Sequence, residues 1–164
     1  MKSLFQILVF IGLFTYQLMA QVNYTSKEGQ FTCSFPCNPT EEVSDLEGGT
    51  KFYQLQCMKG EDIYMMFFAN YSDKTDKAKA KLATIAAKDA FVDKLQAKVK
   101  SEESYEYMGY TGYELQLETA ERFKVYYRVI HISQSLYQFA VVGAAPKKND
   151  VNNFFSSFKY TGSK

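Results

Sequence analysis

The feature that most constrains this chain is the stretch from Tyr105 to Gly143, which reads as three consecutive antiparallel strands. Tyr113, Leu115 and Leu117 alternate with Glu114, Gln116 and Glu118, the two-residue period of a strand with one buried face. The next two runs, Phe123 to Ile132 and Leu136 to Val142, are apolar on both sides. Phe123, Val125, Tyr127 and Val129 fall on one face, and Tyr126, Ile130 and Ile132 on the other. Strands of that kind belong in the middle of a sheet covered on both faces. The motif MGYTGY supplies the turn before them, with Gly109 and Gly112 framing Tyr110 and Thr111, and the strand that carries it begins near Ser104. This commits the chain to an antiparallel sheet and says almost nothing about chemistry.

The rest of the chain supplies covers for that sheet. Phe31 to Phe35 reads as a strand ended by Pro36, and Glu41 to Leu46 as a short edge strand closed by Gly48-Gly49. Thr50 to Met58 and Asp62 to Tyr71 form a hairpin about a three-residue turn, Lys59-Gly60-Glu61. Its second arm, Ile63 to Ala69, is apolar on both faces and is expected to be central. Ser72 to Lys100 changes character, rich in Lys and Ala and free of Pro and Gly, with Asp73, Thr75 or Asp76 as the N-cap. Ala78, Leu82, Ile85, Val92, Leu95 and Val99 recur at helical spacing on one side of it, with Phe91 at the margin. Its lysines, Lys74, Lys77, Lys79 and Lys81, read as a solvated face. After Pro146, Lys147-Lys148-Asn149-Asp150 offers the N-cap of a short helix in which Val151, Phe154, Phe155 and Phe158 form a packing seam. Which helix covers which face is open.

The first twenty residues have the pattern of an export signal. Lys2 precedes an apolar run, Leu4 to Phe14, interrupted by Gln6 and Gly12, and Leu18-Met19-Ala20 sets cleavage after Ala20. The apolar core is shorter than the ~20 residues of a membrane helix, and no cysteine near the cleavage point offers a lipid anchor. The mature chain, 21–164, is expected to be one secreted or periplasmic domain and a monomer. Cleavage removes one Lys and leaves 18 basic against 18 acidic side chains. That balance argues against nucleic acid or an anionic membrane as the main partner.

Three cysteines, Cys33, Cys37 and Cys57, fall in the mature chain. Four residues of one strand separate the Cα atoms of Cys33 and Cys37 by about 13 Å, too far for the ~7 Å that a bridge tolerates. Cys33 alternates with Phe31 and Phe35, so the pairing favoured is Cys37 with Cys57, with Cys33 buried and free. With one histidine in the chain, the cysteines do not have zinc spacing.

Candidates for chemistry are few. His131, with Ser133 or Ser135 and with Glu114 or Glu118 from the adjoining strand, is the one hydrolase arrangement available, yet no nucleophile elbow accompanies it. Cys33 and Cys57 sit in strand patterns without a basic neighbour to activate a thiolate. Glu102, Glu103, Glu106, Glu114 and Glu118 lack the compact Asp/Asn loop of a calcium site and read as the wet face of an edge strand. The absence of Trp counts against a glycosidase groove. Asn23-Tyr24-Thr25 and Asn70-Tyr71-Ser72 are sequons where the export route glycosylates. The aromatic cluster is the more distinctive surface: Tyr107, Tyr110 and Tyr113, with Tyr105 and Met108 beside them, are the candidate partner-binding turn.

Four segments together, GQFTCSFPCNP, GYTGYEL, SLYQFAVVG and NNFFSSFK, resemble the exported PsbP-like proteins. That superfamily takes in the extrinsic subunit P of photosystem II, DcrB-type lipoproteins and Ran-binding nuclear import factors. The resemblance implies an α+β fold, an antiparallel sheet with helices on both faces in an α/β/α sandwich. Cys37 stands where relatives usually place glycine after the proline. Members of the superfamily bind unlike partners, so no site residue or function carries over. The expectation is therefore an exported, non-enzymatic accessory domain that binds an unknown protein partner and needs no cofactor. The alternatives are the His131–Ser133 hydrolase and a small-ligand or lipid carrier. The carrier would need a pocket between helix and sheet beneath Leu82, Ile85 and Val92.

Overall fold

A computed structural model describes residues 21–162, which hold ten strands and two α-helices. The expected signal segment, 1–20, lies outside the described residues. A seven-stranded antiparallel sheet has the order β3-β4-β5-β9-β8-β7-β6, built from β3 (Thr40–Asp45), β4 (Lys51–Lys59), β5 (Asp62–Asn70), β6 (Lys98–Tyr107), β7 (Tyr110–Glu118), β8 (Lys124–Ile132) and β9 (Ser135–Gly143). A smaller sheet, ordered β1-β2-β10, is made by β1 (Val22–Ser26), β2 (Phe31–Phe35) and β10 (Lys159–Tyr160). Helix α1 (Lys77–Leu95) packs over β7 and β8 on one face. Helix α2 (Lys148–Ser156) and the small sheet cover the other. The chain is thus α+β with a helix on each side, and the second face is shared by a small sheet.

The turns follow from local chemistry. Tyr107 pairs with Tyr110, so the β6–β7 turn is Met108-Gly109 alone, with φ of 54° and 77°. Two positive φ values in a two-residue loop match the twist of the flanking strands. Tyr110 and Thr111 therefore lie in β7, not in the turn. Gly112 is a strand residue facing Tyr105, whose ring occupies the place a Cβ would take, 2.5 Å away. Lys59 pairs with Asp62, so the β4–β5 turn is the two residues Gly60-Glu61 rather than three. Phe123 falls just before β8 and is 45% exposed.

Helix α1 is shorter than its apolar pattern. Asp76 caps it, accepting from the backbone N of Lys79 at 2.9 Å. Gln96 turns left-handed at φ 47°, and Lys98 already begins β6, so Val99 belongs to a strand. Pairing with β7 overrides helical propensity there. The buried side of α1 is Ala80 and Thr84, continued by the partly buried Ala87 and Phe91, while Leu82 is 67% exposed. Small side chains face the sheet because its floor here is bulky, with Leu115, Leu117 and Tyr127, and large must meet small for the helix to approach. Helix α2 starts at Lys148 with Lys147 at the N-cap position and no side-chain capping bond, so Asn149 and Asp150 lie in its first turn. Val151, Phe154 and Phe155 are buried, and Phe158 follows the helix into the same core.

Candidate functional site

Along β4 and β5 the burial alternates sharply. Leu55, Cys57, Tyr64, Met66 and Phe68 are buried beneath the small sheet and α2. Their neighbours Phe52, Gln54, Ile63, Met65 and Phe67, pointing to the α1 side, are only half-buried. Seven strands at a spacing of about 4.8 Å span roughly 29 Å, whereas one helix with its side chains is about 10–12 Å across. Seated on β7 and β8, α1 cannot reach β4 and β5.

The uncovered part is a groove of about 430 Å³, within the size range of roughly 300–1,000 Å³ for small-molecule sites. Phe52, Met65, Phe67 and Val142 form its apolar floor, and Ala87, Ala90, Phe91 and Leu95 of α1 its wall. The wall is held in place by Phe91, whose ring stacks on Tyr127 with centroids 3.9 Å apart and planes 5° apart. On the floor Phe52 stacks on Phe67 at 5.8 Å.

Polar groups in the groove are sparse. Tyr127 donates its hydroxyl to Gln138 Oε1 at 2.6 Å, which leaves the Gln138 amide nitrogen as a donor toward the groove. Gln54 Nε2 donates to Gln56 Oε1 at 3.3 Å and keeps its own carbonyl open. Lys94 is the charged residue among those lining the site and, among the described residues, makes no ion pair. A groove between helix and sheet thus exists, but beneath Ala87, Phe91 and Leu95. The expected position under Leu82, Ile85 and Val92 is displaced because α1 presents Ala80 and Thr84 to the sheet, which turns Leu82 to solvent.

Of the three tyrosines of the candidate turn, Tyr107 and Tyr110 are cross-strand partners on one face and Tyr113 lies on the other. Tyr107 and Tyr110 pack toward the core shared with α2, and Tyr113 packs on the α1 side. Tyr107 accepts from the backbone N of Tyr160 at 3.0 Å and packs on Phe158 at 5.8 Å. Lys77 lies over the Tyr110 ring at 5.7 Å and Lys88 over that of Tyr113 at 5.1 Å. Met108, 39% exposed, is what the turn offers to solvent.

Arg128, whose place inside an otherwise apolar strand is a visible signal in the sequence, organises that corner. Its guanidinium lies 4.9 Å from the ring centres of both Tyr105 and Phe155. Nη1 donates to the Phe155 carbonyl at 2.8 Å and Nη2 pairs with Glu114 at 2.5 Å. A cation at the carbonyl end of α2 also suits the helix dipole.

His131 is 3% exposed, on the α1 side of β8. Its ring stacks on Tyr71 at 5.8 Å, its backbone N donates to Thr84 Oγ1 at 3.0 Å, and its Nδ1 has no hydrogen-bond partner among the described residues. Burial holds its pKa below the ordinary histidine value. Of the groups proposed to work with it, Ser135, Glu114 and Glu118 are engaged elsewhere. Ser135 donates to Asn70 Oδ1 at 2.7 Å, Glu114 pairs with Arg128, and Glu118 lies 3.0 Å from Lys100. Ser133 sits in the β8–β9 turn at φ 56° with its carbonyl accepting from Thr75 N.

The acids are similarly dispersed. Glu102 pairs with Lys88 at 2.6 Å and Glu106 accepts from Thr111 at 2.8 Å. Among the described residues no three His, Cys, Asp or Glu side chains converge into a metal-holding group. Of the two sequons, Asn23 is exposed, while the Asn70 side-chain amide donates to the Glu28 carbonyl at 2.5 Å.

Cys37 and Cys57 form a disulfide, with Cα atoms 5.8 Å apart, and Cys33 is free and buried. The bridge ties the segment after β2 to β4, so it joins the small-sheet layer to the main sheet. Burial pushes the Cys33 thiol up to about 11.

The class this architecture defines is the PsbP-like fold. The solution structure of cyanobacterial PsbP (CyanoP) from Synechocystis sp. PCC 6803 superposes with a TM-score of 0.58, covering 89% of this chain and 95% of that one at 15% sequence identity. At that identity the likeness is one of fold. No family model matches the chain, and no curated protein does. Among the described residues no helix is long and apolar enough to cross a membrane.

Proposed function

We propose that this protein is an exported, non-enzymatic binding domain that takes an apolar ligand in the groove between α1 and strands β4, β5 and β9. The observation that carries this reading is the mismatch on β5 and β9. Ile63, Met65, Phe67 and Val142 are apolar residues of central strands, yet they are only half-buried, because α1 is seated over β7 and β8 and not over them. An apolar cleft with a few polar groups is the usual form of a small-molecule site, and an uncovered apolar face of a soluble domain marks a binding surface. The disulfide fits an oxidising, exported setting. The tyrosine turn supports a partner-binding edge less well, because Tyr107, Tyr110 and Tyr113 are each engaged by other residues of the domain.

The test is titration of the mature protein with the neutral fluorophore N-phenyl-1-naphthylamine. Saturable enhancement at one site per chain is expected for the wild type, and loss of it in Ala90→Trp, which fills the groove from the helix wall while far-ultraviolet circular dichroism stays unchanged. Equal enhancement in both proteins, or none in either, overturns the reading.

A further inference from the structure

We propose that the groove selects a single-chain alkyl carboxylate, with the alkyl part lying on the floor of Phe52, Met65 and Phe67 and the carboxylate held by Lys94. This rests on the reading of the groove as an apolar-ligand site and adds the chemistry of its occupant. The argument is one of complementarity. The walls are apolar, so most of the ligand must be apolar. The unspent polar groups are mainly donors, the Lys94 ammonium and the Gln138 amide nitrogen, set against one acceptor, the Gln54 carbonyl.

A cation without an ion-pair partner beside an apolar cleft favours an anion and disfavours a second cation. The carboxylate would lie on the helix side. Glu42 is the cross-strand partner of Gln54 on the edge strand β3, so that edge is negative and turns an anionic end toward α1. The volume, about 430 Å³, lies in the lower part of the small-molecule range and suits one chain rather than two.

The experiment is isothermal titration of the mature protein, below the micellar concentration, with dodecanoate, dodecanol and dodecyltrimethylammonium. Wild type, Lys94→Met, Lys94→Arg and Ala90→Trp are compared. Wild type is expected to bind dodecanoate about tenfold tighter than dodecanol, the order expected of a charge-assisted hydrogen bond, and the cationic amphiphile most weakly. Lys94→Met brings dodecanoate down to the affinity of dodecanol, and Lys94→Arg keeps the preference.

If dodecanol binds as tightly as dodecanoate, or Lys94→Met leaves the preference intact, while Ala90→Trp still abolishes all binding, the carboxylate assignment falls and the groove reading stands. If no amphiphile binds, or Ala90→Trp changes nothing, the groove reading itself falls and takes this inference with it. A dimer in solution that dissociates in Ala90→Trp, with no amphiphile bound, would assign the face to a second copy of the chain and overturn both.

Discussion

At the scale of single residues, the unusual group is His131. The imidazole, buried against Tyr71 and Thr84, has among the described residues no hydrogen-bond partner at Nδ1 to stabilise a positive charge. Its folded pKa is therefore depressed by desolvation. As pH falls through the ordinary histidine value of about 6.5, the unfolded chain takes up a proton that the folded chain refuses. Stability contributed by this group is complete above that value and is lost toward the lower folded pKa. Urea midpoints are expected to drop between pH 7.5 and pH 5.5 in the wild type and to stay level in His131→Phe, which keeps the stack on Tyr71. Parallel pH slopes in the two proteins would remove this account. The residue was visible in the sequence as the one histidine, but its role depends on α1 covering it, which no local pattern encodes.

At the scale of elements, the two helices were legible to different degrees. The seam of α2 read correctly because Val151, Phe154 and Phe155 are large, regularly spaced and all buried. Truncating Phe155 to Ala removes a ring packed against Phe139 at 6.1 Å and Arg128 at 4.9 Å. The expected cost is about 3–5 kcal/mol, read from denaturant unfolding, and a loss under about 1 kcal/mol would mean that α2 is not docked. Helix α1 misled because its apolar residues are distributed around it. Its docking side uses Ala80 and Thr84, which a search for large hydrophobic side chains passes over. Its end misled as well, since Lys98 to Ser101 is helix-compatible and is drawn into β6 by β7. That strand is an edge, charged along its length and bulged between Val99 and Ser101, features that keep edges from pairing with other chains.

At the scale of the molecule, three layers enclose two cores, one on each face of the main sheet, and the disulfide fastens two of the layers. Cross-linking residues 20 apart is worth about 3 kcal/mol through the unfolded state. Denatured, unreduced mature protein is expected to titrate one thiol, and native protein essentially none on the same timescale, because Cys33 is buried beside Ser157 at 3.3 Å. Three thiols in the denatured protein would remove the bridge.

The sequence by itself determined the alternation of the strands, the antiparallel α+β class, the docking seam of the last helix and the choice of Cys37 and Cys57. Each of these is written in local spacing or in the reach of a few residues. Only the tertiary structure decided where the groove lies. Ile63, Met65 and Phe67 on one side and Tyr64, Met66 and Phe68 on the other make both faces of β5 apolar, and apolarity does not say what covers it. That depends on one helix, too narrow for a seven-stranded sheet, settling over β7 and β8. The half of the sheet it leaves open is the surface on which we place the function.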